Sequence, residues 1–112
     1  MGYRFKEQIE AMNKIKDDQG LYNVLRMYSF EYERSALQLA KISENDLYER
    51  QMSEFGLKTS LSGMKTLKLK LEKVGFQLPG NNADLEALIM EVANYIHSTE
   101  GNKDTEDMLW TF

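Results

Sequence analysis

His97 is the single histidine of the 112-residue chain, so it is the first residue to test for acid–base or metal chemistry. A histidine base needs a nucleophile or an orienting carboxylate beside it, and a metal site needs further ligands. Glu91 precedes His97 by six residues and falls on a different face of a helix, and the chain has no cysteine. We therefore interpret His97 as a residue of a last helical turn that is either a partner of the helix dipole or a surface residue.

The paired acids and the glycines do not form other catalytic patterns. Acids at spacings of one or two residues occur at Asp17–Asp18, Glu31/Glu33 and Glu44/Asp46, and none has the spacing of a calcium loop. The glycines are scattered, without a phosphate-binding motif or a Gly-x-Ser-x-Gly nucleophile elbow. The sequence therefore predicts no enzyme activity, no metal and no cofactor.

Charge is segregated along the chain, and this is its most informative feature. Segment 57–74 holds one acid and five lysines, Lys58, Lys65, Lys68, Lys70 and Lys73. Segment 76–112 holds one base and seven acids, and the whole chain carries a net charge of −4. Such segregation favours an acidic partner or nucleic acid at the lysines, or attraction between two parts of the chain. In the second case, we expect Lys58, Lys65 or Lys73 to pair with Asp84, Glu86 or Glu91.

The last nine residues join acids to large apolar groups. Asp104, Glu106 and Asp107 are followed by Met108, Leu109, Trp110 and Phe112. Tryptophan is enriched among interface hot spots, and flanking acids steer a segment toward basic surfaces. The segment resembles the acidic-aromatic C-terminal tips of single-strand-binding proteins and some replication factors, which dock on partners. We predict that partner-binding residues are Asp107, Met108, Leu109, Trp110 and Phe112, or that this tail folds back onto its own bundle.

The elements that position these residues are predicted to be helices. Apolar residues recur every three or four positions over most of the chain, and the single proline, Pro79, leaves long elements unbroken. The predicted fold is an all-α bundle of four or five helices in one domain, 1–101, followed by a tail, 102–112. The predicted helices are 3–18, 21–42, 44–55, 58–74 and 83–98. Glycines at positions 20, 56, 75 and 101 are placed at helix ends.

Helix 21–42 is predicted to be the central helix. Leu21, Leu25, Tyr28, Tyr32, Ser35, Leu39 and Ile42 follow spacings of four and three residues, as in three heptads. This stripe fits packing inside one chain, and it equally fits a homodimer, because both arrangements bury the same residues.

Two alternatives concern residues 44–78. A short helix, the sequence Phe55-Gly56-Leu57 and a lysine-rich helix resemble a helix-turn-helix DNA-binding motif, which implies phosphate contacts from the lysines. The second alternative is a β-hairpin over 66–78. Leucines and lysines alternate from Leu67 to Leu71, which is a strand pattern, so this segment fits a hairpin as well as a helix.

The composition limits the class of protein. Apolar residues at 42% and charged residues at 29% are typical of a soluble globule, and no apolar run approaches the length of a membrane span. The absence of cysteine fits a reducing, cytoplasmic location. We predict a small regulatory or adaptor protein that binds another protein, of a kind common in bacteria and their phages. The alternative is a DNA-binding regulator using residues 44–74.

Overall fold

Five helices form the regular structure of the chain. The computed structural model describes the backbone of residues 3–111 and the side chains of residues 3–100. The helices are α1 (Lys6–Ile15), α2 (Gln19–Lys41), α3 (Leu47–Thr66), α4 (Lys68–Lys73) and α5 (Asn82–Thr111). No strand occurs between residues 3 and 111, which confirms the all-α prediction and makes the β-hairpin alternative for 66–78 wrong.

Short polar side chains begin three of these helices. A carboxylate oxygen of Asp18 accepts the backbone N–H of Leu21 at 3.1 Å, and Asp46 accepts that of Glu49 at 3.2 Å. At the start of α5, the side-chain oxygen of Asn81 accepts the N–H of Asp84 at 2.8 Å. Each bond satisfies one backbone donor that a helix leaves free in its first turn.

The core lies where α1, the first half of α2 and α5 meet the end of α3 and all of α4. Its fully or nearly fully buried side chains include Ile9, Met12, Ile15, Leu21, Leu25, Tyr32, Met64, Leu71, Phe76, Leu85, Leu88, Ile89, Val92 and Ile96. Three residues of the stripe predicted for helix 21–42 belong to this core, namely Leu21, Leu25 and Tyr32. Because Leu21, Leu25 and Tyr32 are buried within one chain, that part of the heptad seam is already used in intrachain packing.

The turn after α4 was predicted from its glycine. Gly75 has a φ of 90°, a backbone conformation that glycine adopts without strain. The N–H of Phe76 donates to the carbonyl of Leu71 at 2.9 Å, and the N–H of Gly75 donates to that of Glu72 at 3.1 Å. This pair of bonds is a Schellman motif, and it returns the Phe76 side chain to the core, where it is 0% exposed.

The predicted break at Gly56 is wrong, because α3 runs unbroken from Leu47 to Thr66. The break between the helices instead lies at Leu67, whose ψ of 0° leaves the α-helical region. Residues 44–74 therefore contain no short turn at Phe55-Gly56-Leu57, and the helix-turn-helix geometry expected there is absent from the described chain. At the other end, α5 passes through Gly101, where we predicted a stop.

Gly56 and Gly63 allow α2 and α3 to approach closely. A Cβ built on Gly56 would lie 2.3 Å from the hydroxyl oxygen of Ser35, and one on Gly63 would lie 2.3 Å from the ring of Tyr28. Both distances are far shorter than ordinary carbon contacts of about 3.5–4.0 Å. Glycine is therefore required at these two helix-interior positions for packing, although it lowers helix propensity.

Within the described residues, each helix is too short or too polar to cross a lipid bilayer.

Candidate interaction surfaces

The outer part of the α2–α3 pair extends beyond the core and exposes large apolar side chains. Five of them are at least half exposed: Leu37 54%, Leu47 67%, Tyr48 67%, Met52 51% and Phe55 65%. We call these five residues the hairpin tip. Scattered single apolar residues are normal on a surface, whereas five large ones on one pair of helix ends are a candidate binding surface.

Helix geometry gathers three residues of the hairpin tip into one stripe. Tyr48, Met52 and Phe55 are spaced by four and three residues, so they lie along one face of α3. Contact with α2 is made on a neighbouring face of α3, where buried Gly56 lies against Ser35 and Glu31. The apolar stripe is thus left without a covering element from the described chain.

Leu47, Met52 and Phe55, the large apolar residues of the predicted helix 44–55, do not form the packed side of α3. The side that packs consists of small residues at spacings of three and four, namely Ser53, Gly56, Ser60 and Gly63. These small residues are the sequence signal that could have identified the buried face. Side-chain size alone does not identify the buried face of α3, because its large apolar residues are exposed and its small residues are buried.

The five predicted lysine-site residues are all solvent-exposed, and none forms a salt bridge with another described residue. The acids expected to pair with them are engaged elsewhere. Arg4 forms a 2.6 Å ion pair with Asp84, and Glu91 accepts the backbone N–H groups of Arg4 and Phe5. Hydrogen bonds from Asn81 and Arg4 lower the pKa of Asp84 below its ordinary value. The predicted pairing of Lys58, Lys65 or Lys73 with Asp84, Glu86 or Glu91 is therefore wrong.

Four of the lysines lie at the openings of two neighbouring cavities. Lys70 and Lys73 line one of about 400 Å³, whose apolar walls include residues of α2, Leu67 and Val74. Lys65 and Lys68 line another of about 260 Å³, beside Leu78, Pro79 and Leu85. Lys58 lines neither of these two cavities. The α3–α4 region thus presents free positive charge next to apolar recesses.

His97 lies on the α2–α5 contact and not at a helix end. Its Nε2 is 2.8 Å from a carboxylate oxygen of Glu33, and its ring stacks on Phe30 with centroids 4.5 Å apart. Among the described residues, no group of three metal-ligating side chains occurs. We interpret the His97–Glu33 pair as a contact that fixes α5 against α2, and His97 is 47% exposed, as expected for a surface residue. The alternative, a dipole partner in a last helical turn, is wrong because α5 continues to Thr111.

A second polar contact fastens the same two helices. Arg26 donates to both carboxylate oxygens of Glu100, with a shortest distance of 2.8 Å, and the Tyr22 hydroxyl donates to Glu100 at 2.6 Å. Partial burial raises the pKa of the Glu100 carboxyl, but the hydrogen bonds from Arg26 and Tyr22 outweigh burial, so the pKa is lowered overall. Glu100 is consequently held in its charged form.

The predicted tail residues Asp107, Met108, Leu109, Trp110 and Phe112 have side chains outside the described residues, so their role stays a prediction. Comparisons of the chain with protein-family models, with curated proteins and with solved structures find no match. Function is therefore argued from the surfaces alone.

Proposed function

We propose that the chain is a non-catalytic regulatory or adaptor protein that binds another protein through the hairpin tip. The observation that carries the proposal is the exposure of five large apolar side chains at the ends of α2 and α3. A cysteine-free composition supports a reducing, cytoplasmic setting for this role.

The size of the tip suits a specific interface. Large aromatic side chains bury about 150–250 Å² each when fully covered, so side chains exposed by one half to two thirds leave on the order of 100 Å² each. Tyr48, Met52 and Phe55, which share one face of α3, together leave roughly 300 Å², while a standard interface covers about 800 Å² per partner, somewhat more than half of it apolar. These three residues can therefore supply much of the apolar centre of one interface.

The proposal is tested with the full-length chain as bait for its partner. Phe55→Ser and Tyr48→Ser remove exposed apolar groups without opening the core, so both variants should fold normally and recover much less partner. Leu69→Ser is the matched control, since Leu69 is 73% exposed but lies on α4. Equal recovery by the Phe55→Ser variant and the unchanged chain would remove the tip from the proposal.

A second candidate function is nucleic-acid binding, and it is favoured by the five exposed lysines without described partners. With α3 continuous through Gly56, these lysines offer phosphate contacts but no separate recognition helix. Such binding would be independent of base sequence and strongly weakened by salt. The net charge of −4 opposes it, which places it second.

The test of this second function is DNA retention at low salt. Replacing Lys65, Lys68, Lys70 and Lys73 with Gln should abolish retention, because it removes four phosphate contacts. Each such contact adds about −0.9 to the slope of the logarithm of the binding constant against the logarithm of salt concentration. If the unchanged chain shows no retention at low ionic strength, nucleic-acid binding is excluded.

A further inference from the structure

We propose that residues 104–112 of one copy dock into the cavity between α2 and α4 of a second copy, so that the protein forms a dimer by exchange of C-terminal segments. This inference uses the other end of the molecule from the hairpin tip and does not depend on the function proposed above.

The receiving site is the cavity lined by Lys70 and Lys73. Its volume of about 400 Å³ lies within the range of about 300–1,000 Å³ of small-ligand pockets. Its apolar walls are Leu21, Val24, Leu67 and Val74, and Lys70 and Lys73 stand beside them. The site therefore suits a ligand that combines negative charge with large apolar groups.

One acid also lines this cavity, but it has a structural role. The carboxylate of Asp18 caps α2 by accepting the N–H of Leu21 at 3.1 Å. Part of its negative charge is therefore offset by the positive end of α2. Lys70 and Lys73 have no ion pair among the described residues, so their charge is available to an incoming anionic segment.

The C-terminal segment has the complementary composition. It begins with the acids Asp104, Glu106 and Asp107 and ends with Met108, Leu109, Trp110 and Phe112. The acids match the two lysines, and the large side chains match the apolar walls. Opposite charges of this kind speed association and favour this segment over segments of the wrong charge.

The course of α5 explains why the segment reaches a second copy. His97 contacts Glu33 while Glu100 contacts Arg26 and Tyr22, so α5 runs antiparallel to α2. Beyond Glu100, α5 continues to Thr111, which adds about 16 Å at 1.5 Å per residue. Beyond Tyr22, α2 extends only three residues toward its start at Gln19, about 5 Å.

An unbroken α5 therefore carries its last residues past the start of α2 and past the cavity of its own copy. The cavity of a second copy can bind these last residues. By two-fold symmetry, the C-terminal segment of the second copy then binds the cavity of the first. Two identical contacts would then close the dimer, which is the commonest form of homo-oligomer.

The test uses two measurements on the full-length chain over a range of concentrations. Light scattering gives the mass, and the emission of Trp110, the single tryptophan, reports the surroundings of the segment. We expect a dimer with blue-shifted Trp110 emission, reverting to a monomer with red-shifted emission upon dilution or in high salt.

Two matched double variants locate the receiving site. Lys70→Gln with Lys73→Gln should raise the dimer dissociation constant roughly a hundredfold, since two charge contacts are lost at each of the two receiving sites. Lys65→Gln with Lys68→Gln changes the net charge equally but lies at the other cavity, and it should leave the constant within about twofold of the original. Equal effects of the two double variants would overturn the proposed site.

Other outcomes also overturn the proposal. A monomer whose Trp110 emission is blue-shifted at every concentration would show docking within one copy, and solvent-exposed Trp110 throughout would show no docking. Phe55→Ser should leave the mass unchanged. If Phe55→Ser makes the dimer dissociate, the two copies contact each other at the hairpin tip, and the proposal is wrong. If Phe55→Ser reduces only the recovery of a partner, the result bears on the proposed adaptor function and not on the dimer.

Discussion

Replacing Gly56 with alanine tests whether the close approach of α2 and α3 stabilises the fold. Taken alone, a Gly→Ala change inside a helix stabilises the helix by about 1 kcal/mol. Here, however, the new Cβ would lie 2.3 Å from the Ser35 hydroxyl oxygen and 3.2 Å from the Ser35 Cβ. Rotation of the hydroxyl can relieve the first contact, but the second remains tighter than a normal carbon contact.

The packing loss should exceed the gain in helix propensity. Adding a methylene or methyl group to a well-packed site destabilises by about 1–3 kcal/mol, and Ser35 is only 2% exposed, so little room is available for relaxation. After the propensity gain is subtracted, we expect Gly56→Ala to lower the free energy of unfolding by about 1–2 kcal/mol. With a typical urea slope of about 1–3 kcal/mol/M, the unfolding midpoint should fall by roughly 1 M.

Two further variants separate packing from propensity. Gly20→Ala is the matched control, because the new Cβ would be 3.6 Å from Asp18, an ordinary contact, and this variant should be as stable as the original or more so. Ser35→Gly should rescue Gly56→Ala, giving a coupling energy of about 1 kcal/mol or more in a double-mutant cycle. The reasoning is refuted if Gly56→Ala stabilises the protein as Gly20→Ala does, or if the two changes are additive.

Three other predictions concern the core and two titrating groups. The pKa of Glu100 is lowered in the folded protein, so its carboxylate stabilises the fold above pH 4.5, and this stabilisation is lost as pH falls further. Arg26→Gln should therefore lower the free energy of unfolding by about 1–2 kcal/mol near neutral pH and by much less in acid. Burial and the neighbouring Glu86 raise the pKa of Tyr32 from 10.0 to about 12, so stability should fall as pH rises between these values, with Tyr32→Phe abolishing that loss. Phe76→Ala should cost about 3–5 kcal/mol in urea unfolding, since the side chain is 0% exposed.

Each of these predictions has its own check. Urea unfolding at several acidic pH values tests the Arg26–Glu100 contact, and a constant difference between variant and original across pH would contradict it. Tyrosinate absorbance should show Tyr32 among the last tyrosines to ionise, and an ordinary titration would refute the burial argument. Leu69→Ala is the control for Phe76→Ala, because a change at a 73% exposed residue should stay within about 0.5 kcal/mol.

Apolar periodicity was enough to predict most of the core but not the breaks between helices. The stripe from Leu21 to Tyr32 is buried as expected, and Gly75 ends α4 as expected. Gly56 was misinterpreted because glycine ends helices more often than it interrupts their interior. Its true role depends on Ser35, which is twenty-one residues away and is brought close only by the fold.

The candidate surfaces were predictable in part. The lysines of 57–74 were correctly identified as a concentrated basic segment, but their lack of acidic partners depends on Arg4 occupying Asp84. The hairpin tip was missed because Phe55 and Met52 have the spacing of buried residues. Whether such a stripe is buried depends on which element covers it, and the spacing of one helix does not contain that information.

The contact between small residues of α2 and α3 has a mechanical consequence. From Gly63, where the Tyr28 ring presses on the backbone, to Tyr48 at the tip, α3 extends about 22 Å. At Gly56 and Gly63, side chains of α2 rest directly against the backbone of α3, so no side chain of α3 lies between them to absorb a displacement. A displacement of α3 at Tyr48 should therefore tilt the whole helix about its contact with the Tyr28 ring.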